Sequence, residues 1–126
     1  MNLSKFNLKN KNALITGAAG LLGIEHAKAL LECNANVVIT DINKENLRKI
    51  KETLLSLNLI GKIDSYIMDV TKIESIERVK NKLKSNNRNI DILINNAAIN
   101  PKVDKNKKMY PSRLEHFSNF RWDLEI

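Results

Sequence analysis

Four short apolar runs alternate along this chain with three stretches in which apolar residues recur at helical spacing. Residues 12–16 (NALIT), 36–41 (NVVITD), 63–70 (IDSYIMDV) and 90–96 (IDILINN) read as strands. Between them, residues 21–33, 44–57 and 72–85 read as helices. Leu22, Ala27, Leu30 and Leu31 share one side of the first helix. Leu47, Ile50, Leu54, Leu55 and Leu57 supply the apolar side of the second, and Ile73, Ile76, Val79 and Leu83 that of the third. Each helix is long enough to carry a crossover. The order β-α-β-α-β-α-β therefore predicts an α/β fold, a doubly wound parallel sheet with helices on both faces. Cap signals agree with these boundaries. Asn34 stands where a helix often ends in a left-handed residue, Asn43 can cap the second helix, and Thr71 with Glu74 has the spacing of a capping box for the third.

Of four glycines, three fall in the stretch Thr16 to Gly23, TGAAGLLG, between the first strand and the first helix. Gly17 follows the strand directly, where the backbone must turn sharply. The loop then opens a helix, whose unpaired N–H groups and positive dipole end suit a phosphate. Gly23, inside the helix, permits close packing against the strand. Gly23 is followed by Ile24 and Glu25 rather than by Lys and a hydroxyl residue, which excludes a phosphate-binding loop of the nucleoside-triphosphatase kind.

The second strand ends in Asp41, where a carboxylate can accept hydrogen bonds from the adenosine ribose hydroxyls and would repel a 2′-phosphate. The stretch Ala18 to Gly20 holds no basic residue to receive such a phosphate, so the expected cofactor is NAD. Asp69 and Val70 end the third strand, where a carboxylate could meet the adenine amino group. Asn95 to Ala98 (NNAA) end the fourth. All these residues lie beyond strand C-termini, where ligands bind in sheets of this kind.

Composition narrows the remaining classes. A chain of 126 residues is expected to form one domain. The net charge of +7 raises the question of nucleic acid, but the basic residues are scattered and aromatics make up only 5%. The eighteen asparagines point to a general lysine and asparagine bias instead. No nucleic-acid or membrane partner is expected, since no apolar run approaches the length of a membrane span. One cysteine, Cys33, and the lack of an apolar leader fit a cytoplasmic location. His26 and His116 are the only histidines, and no metal site is expected. Residues 99–116, with two prolines and no clear period, read as a long surface loop, with a helix beginning near Phe117 or Phe120.

Together, ITGAAGLLG, VVITD, MDVT and DILINNAAI resemble, in order and spacing, the cofactor-half motifs of the short-chain dehydrogenase/reductase family. The closing RWDLEI is similar to the segment just before that family's active-site asparagine. The resemblance implies a Rossmann-like sheet of strand order 3-2-1-4, incomplete on the side of the fourth strand, with the cofactor between strands 1 and 4. It also implies that Gly17, Ala19, Gly20 and Leu22 line the pyrophosphate and ribose. Asp41 and Ile42 would hold the adenosine ribose, Asp69 and Val70 would flank adenine, and Asn96, Ala97 and Ala98 would lie along the nicotinamide side. Asn95 is expected to brace the sheet.

The family moves hydride between nicotinamide and a hydroxyl or keto carbon, with a tyrosine tuned by a lysine four residues later. Tyr66 is followed at that distance by Val70, and Tyr110 by Leu114, so no catalytic residue is assigned. Members of the family are about twice this length. The expectation is an N-terminal, dinucleotide-binding portion of an oxidoreductase with a small-molecule substrate, a homo-oligomer when complete, inactive on its own. EHAKALLE and the long loop resemble reductases of surface-sugar or flagellin-modification pathways, which would make the substrate a sugar. Departures from the family pattern are Leu21 in place of glycine, Glu25 in place of alanine, and Ala98 in place of the last glycine of NNAG. The spacing TGxxGxxG is that of the extended branch of the family, so an epimerase or dehydratase is one alternative. A non-catalytic dinucleotide-binding module is another.

Overall fold

A computed structural model describes residues 4–98 of the chain. The expected loop 99–116, the helix near Phe117 or Phe120, and RWDLEI lie outside the described residues. After a short 3-10 turn at Ser4–Phe6 come β1 (Asn12–Ile15), α1 (Leu21–Glu32), β2 (Asn36–Asp41), α2 (Lys44–Leu55), β3 (Ile63–Ile67), α3 (Ile73–Ser85) and β4 (Ile92–Ile94). The strands form one parallel sheet in the order β3-β2-β1-β4, as expected. Ala13 pairs with Val37 on one side and with Ile92 on the other, and Val37 pairs in turn with Ile63.

Alternation along the strands divides the core in two. Ala13, Ile15, Val37 and Ile39 pack with Ala27 and Leu31 of α1 and Leu47 and Leu54 of α2. Leu14 and Val38 point to the opposite face, where they meet Met68 and Val79 and Leu83 of α3. Leu31 and Leu54 are fully buried, and each such side chain contributes roughly 1.5–3 kcal/mol. Not every residue of the expected apolar faces is buried. Leu22 (64% exposed), Leu55, Leu57, Ile73 and Ile76 remain exposed. Leu22 and Ile73 fall in the first turns of their helices, at the end of the element and beyond the buried stretch.

Asparagine ends the helices. Asn34 has φ 69°, and the amides of Asn34 and Ala35 donate to the carbonyls of Leu31 and Leu30, the paired bonds of a Schellman motif. Asn87 (φ 54°) does the same for α3, with Asn87 donating to Lys84 and Arg88 to Leu83. The Asn43 side chain accepts from the Asn46 amide and caps α2, as expected. The capping box at Thr71 and Glu74 does not form. The N-cap of α3 is Lys72, with no side-chain hydrogen bond, because Asp69 captures Thr71 first: its Oδ1 accepts from both the Thr71 hydroxyl (2.6 Å) and the Thr71 amide (2.9 Å).

The N-terminal end of the sheet is tied across all four strands. The Asn12 amide donates to Asp91 Oδ2 (2.9 Å), Asn36 Nδ2 to Asn12 Oδ1 (3.1 Å), and the Lys62 amide to Asn36 Oδ1 (2.9 Å). The opposite, C-terminal end is thereby left as the end where loops diverge.

Candidate functional site

The glycines of the first loop serve different ends. Gly17 has φ +60°, and a Cβ there would lie 2.6 Å from the Ala97 Cα, so glycine is required by both torsion and space. A Cβ at Gly23 would lie 2.5 Å from the Ala18 Cα, which makes this glycine the close contact between helix and loop. Gly20 is different. Its φ of −84° is open to any residue, and among the described residues an added Cβ would meet only the Gly17 carbonyl oxygen, at 3.4 Å. No described residue demands glycine at position 20, which is exposed at the start of α1. As N-cap, Gly20 offers no side chain to the first-turn amides, and no acidic residue stands in that turn. These donors and the positive end of the helix are open to an anion.

Hydrogen bonds fasten the loop on both sides. The Ala18 amide donates to the Thr40 carbonyl (2.9 Å), and the Ala19 amide to Asp41 Oδ2 (3.0 Å). The other Asp41 oxygen accepts from the Asn43 amide (2.9 Å). Across the switch point, the Thr16 hydroxyl oxygen accepts from the amides of Asn96 and Ala97, each at 3.0 Å. Asn96 Nδ2 donates to the Gly17 carbonyl, also at 3.0 Å.

Gly17, Ala19, Gly20, Leu22, Asp41, Ile42, Asp69, Val70, Asn96, Ala97 and Ala98 all lie at or beyond strand C-termini. The loops carrying them are linked through Ala19–Asp41, Asn96–Gly17 and the bond from the Met68 amide to the Asp41 carbonyl (3.0 Å). Ile42 and Val70 are exposed. Asp69 is held by Thr71, whose hydroxyl and amide keep its carboxyl below the usual aspartate range, with Lys72 Nζ at 4.0 Å adding to the effect.

The expected division between the two asparagines is reversed in part. Asn96 makes the brace, while the exposed Asn95 side chain has no hydrogen bond to any described residue. Past the end of β4 the Asn96 side chain reaches the loop after β1, at the Gly17 carbonyl. Thr16 and Ser75 carried no assigned role in the sequence reading. Thr16 joins the loop to the end of β4, and the buried Ser75 hydroxyl accepts from the Asp69 amide (2.9 Å). A small hydroxyl residue at a strand end, just before a glycine, is the signal that could have found Thr16. Glu25 is exposed and pairs with Lys28 at 3.5 Å on the outside of α1. Among the described residues no group of three His, Cys, Asp or Glu could hold a metal, and no helix is long and apolar enough to cross a membrane.

The family model for short chain dehydrogenases matches residues 11–119. A short chain dehydrogenase/reductase of Gibberella zeae, dpfgG, is 41% identical over 93 residues, which are 74% of this chain and 33% of that protein. The crystal structure of a candidate D-mannonate oxidoreductase from Haemophilus influenza with bound NAD superposes with a TM-score of 0.71 at 32% identity, over 97% of this chain and 43% of that one. Pseudomonas aeruginosa RhlG, in an NADP active-site complex, superposes with a TM-score of 0.68 at 27% identity, over 76% of this chain and 38% of that one. The chain thus spans less than half the length of these relatives. A nicotinamide dinucleotide accompanies both of these solved structures, NAD in one and NADP in the other. With the glycine loop, its aspartate partner and the parallel sheet in this order, the chain belongs to the short-chain dehydrogenase/reductase family.

Proposed function

We propose that this chain is the dinucleotide-binding portion of an NAD-dependent oxidoreductase acting on a hydroxyl or keto group of a small molecule. The observation that carries the reading is Gly20, a glycine that neither torsion nor packing requires, at the uncapped start of α1. Room kept free of a Cβ beside unpaired amides is what a diphosphate needs. The residues therefore fit the cofactor.

In this reading the amides at the start of α1 hold the diphosphate, with Gly17, Ala19 and Leu22 along it. Asp41 accepts from the adenosine ribose hydroxyls beside Ile42. Asp69 offers Oδ2 to the adenine amino group, since its Oδ1 is taken by Thr71, and Val70 flanks the ring. Asn96, Ala97 and Ala98 line the nicotinamide side. Nicotinamide, when bound, supplies the hydride chemistry. NAD rather than NADP follows from the Asp41 charge and from the absence of a cation between Ala18 and Gly20. A sugar or sugar acid as substrate finds support in the D-mannonate oxidoreductase likeness.

Neither Tyr66 nor Tyr110 is followed by lysine four residues on, so the chain alone binds cofactor without turning it over. Calorimetry with NAD, NADP and ADP tests this. Uptake of NAD and ADP, with NADP weaker, is expected; uptake of none by the folded chain overturns the reading. NAD-coupled turnover by the chain alone would refute the assignment of no catalytic residue.

A further inference from the structure

We propose that Asp41 is the latch of the glycine loop, setting its ligand-binding shape before any ligand arrives. The inference rests on the reading of that loop as the diphosphate site, and adds to Asp41 a positioning role beyond contact with ribose. Three consecutive loop amides are tied to other groups of the chain itself. Ala18 donates to the Thr40 carbonyl, Gly20 to the Gly17 carbonyl (3.2 Å), and Ala19 to Asp41 Oδ2 (3.0 Å). Only the last of these bonds uses a side chain, and its acceptor is a carboxylate. The carboxylate cannot rotate freely, because the Asn43 amide holds its other oxygen at 2.9 Å. Asp41 therefore clamps the loop to the end of β2, and each oxygen, with one donor among the described residues, can accept a second hydrogen bond. A carboxylate fixed at both oxygens also cannot swing aside for a 2′-phosphate, so position as well as charge excludes one.

The latch makes a prediction opposite in sign to charge alone. Removing a carboxylate near an anion site relieves repulsion and should tighten anion binding. Removing a latch leaves the Ala19 amide without its partner, lets the loop relax, and should weaken the same binding.

The test uses the 126-residue chain, its Asp41→Ala and Asp41→Asn variants, and inorganic pyrophosphate, which has no ribose to touch Asp41. Pyrophosphate is titrated by NMR at the Gly20 and Leu21 amides. Hydrogen exchange at Ala19, relative to Ile39 in the core, is measured without ligand. The expected affinity order is wild type, then Asp41→Asn, which keeps one acceptor, then Asp41→Ala, with a loss of about tenfold across the series. Ala19 exchange should speed up in the same order while Ile39 keeps pace with global stability. Should Asp41→Ala fail to fold, the Asn variant carries the comparison. Equal or tighter pyrophosphate binding in the variants, or unchanged Ala19 protection, overturns the latch. If the wild-type loop takes up no pyrophosphate, the diphosphate reading fails, and the Ala19 exchange alone then decides the latch.

Discussion

Gly17 and Asn96 are 79 residues apart in sequence and joined by one hydrogen bond, from the Asn96 side-chain amide to the Gly17 carbonyl at 3.0 Å. With the Thr16 hydroxyl accepting from the Asn96 and Ala97 amides, this bond closes the switch point between β1 and β4. The glycine loop is thus held from β4 on one side and from β2 on the other, where Asp41 accepts from Ala19.

Gly17 and Gly20 should separate stability from binding. Gly17→Ala forces a methyl to 2.6 Å from the Ala97 Cα at φ +60° and is expected to cost about 1–3 kcal/mol, read as a lower urea midpoint. Gly20→Ala meets nothing nearer than 3.4 Å and should leave stability within about 0.5 kcal/mol while weakening NAD binding. An equal loss of stability in both variants would refute the division.

Thr16→Val keeps the shape of a buried residue and removes the acceptor for two amides. A loss of about 1–3 kcal/mol is expected, with Thr16→Ser close to wild type. Denaturation midpoints of the two variants check it; similar values for both would show that the hydroxyl is not what holds β4 to the loop.

The Asp69 carboxyl is held below its ordinary range, chiefly by the Thr71 hydroxyl. A depressed folded-state value means that the stability Asp69 contributes is present above its unfolded value and is lost as pH falls through the folded one. Thr71→Val should move the Asp69 titration upward, which shrinks the stability Asp69 contributes at neutral pH and narrows, from its lower end, the pH window over which that contribution is lost. NMR titration of the Asp69 carboxyl carbon measures this directly, and an unmoved titration curve would assign the depression to another cause.

β4 forms an edge of the described sheet, and Leu93 on it is 56% exposed. A bare apolar edge invites pairing with another chain. The 126-residue chain is expected to self-associate in sedimentation velocity, and Leu93→Lys to reduce this. A concentration-independent monomer in the unmodified chain would contradict it.

Periodicity is enough to read the order of elements and a parallel sheet, because each strand and helix buries a face with its own spacing; the strand order 3-2-1-4 comes from the family resemblance. Asn34 was legible as a left-handed cap for the same kind of reason: few other residues tolerate that torsion. Strand lengths were less legible. The expected 90–96 shrinks to Ile92–Ile94 because β4 has only the four-residue β1 to pair with among the described strands. Thr71 failed as a cap because a competing acceptor, Asp69, lies two residues upstream, a local contest that residue spacing does not decide. That Asp41 and the glycine loop stand at strand C-termini is legible from residue type and position. The parts played by Thr16, Ser75 and Asn96 depend on contacts between distant segments, which no local pattern announces.

The proposed function requires a dinucleotide against the loop between β1 and α1, with Asp41 at its ribose. Backbone amide shifts during titration with NAD test it most directly. The largest shifts are expected at Gly17–Gly23, Asp41–Asn43 and Asn96–Ala98, all saturating with one affinity. Shifts confined to other parts of the chain, such as the apolar groove lined by Leu14, Val79, Leu83 and Leu93, or no shifts in a folded sample, would contradict it.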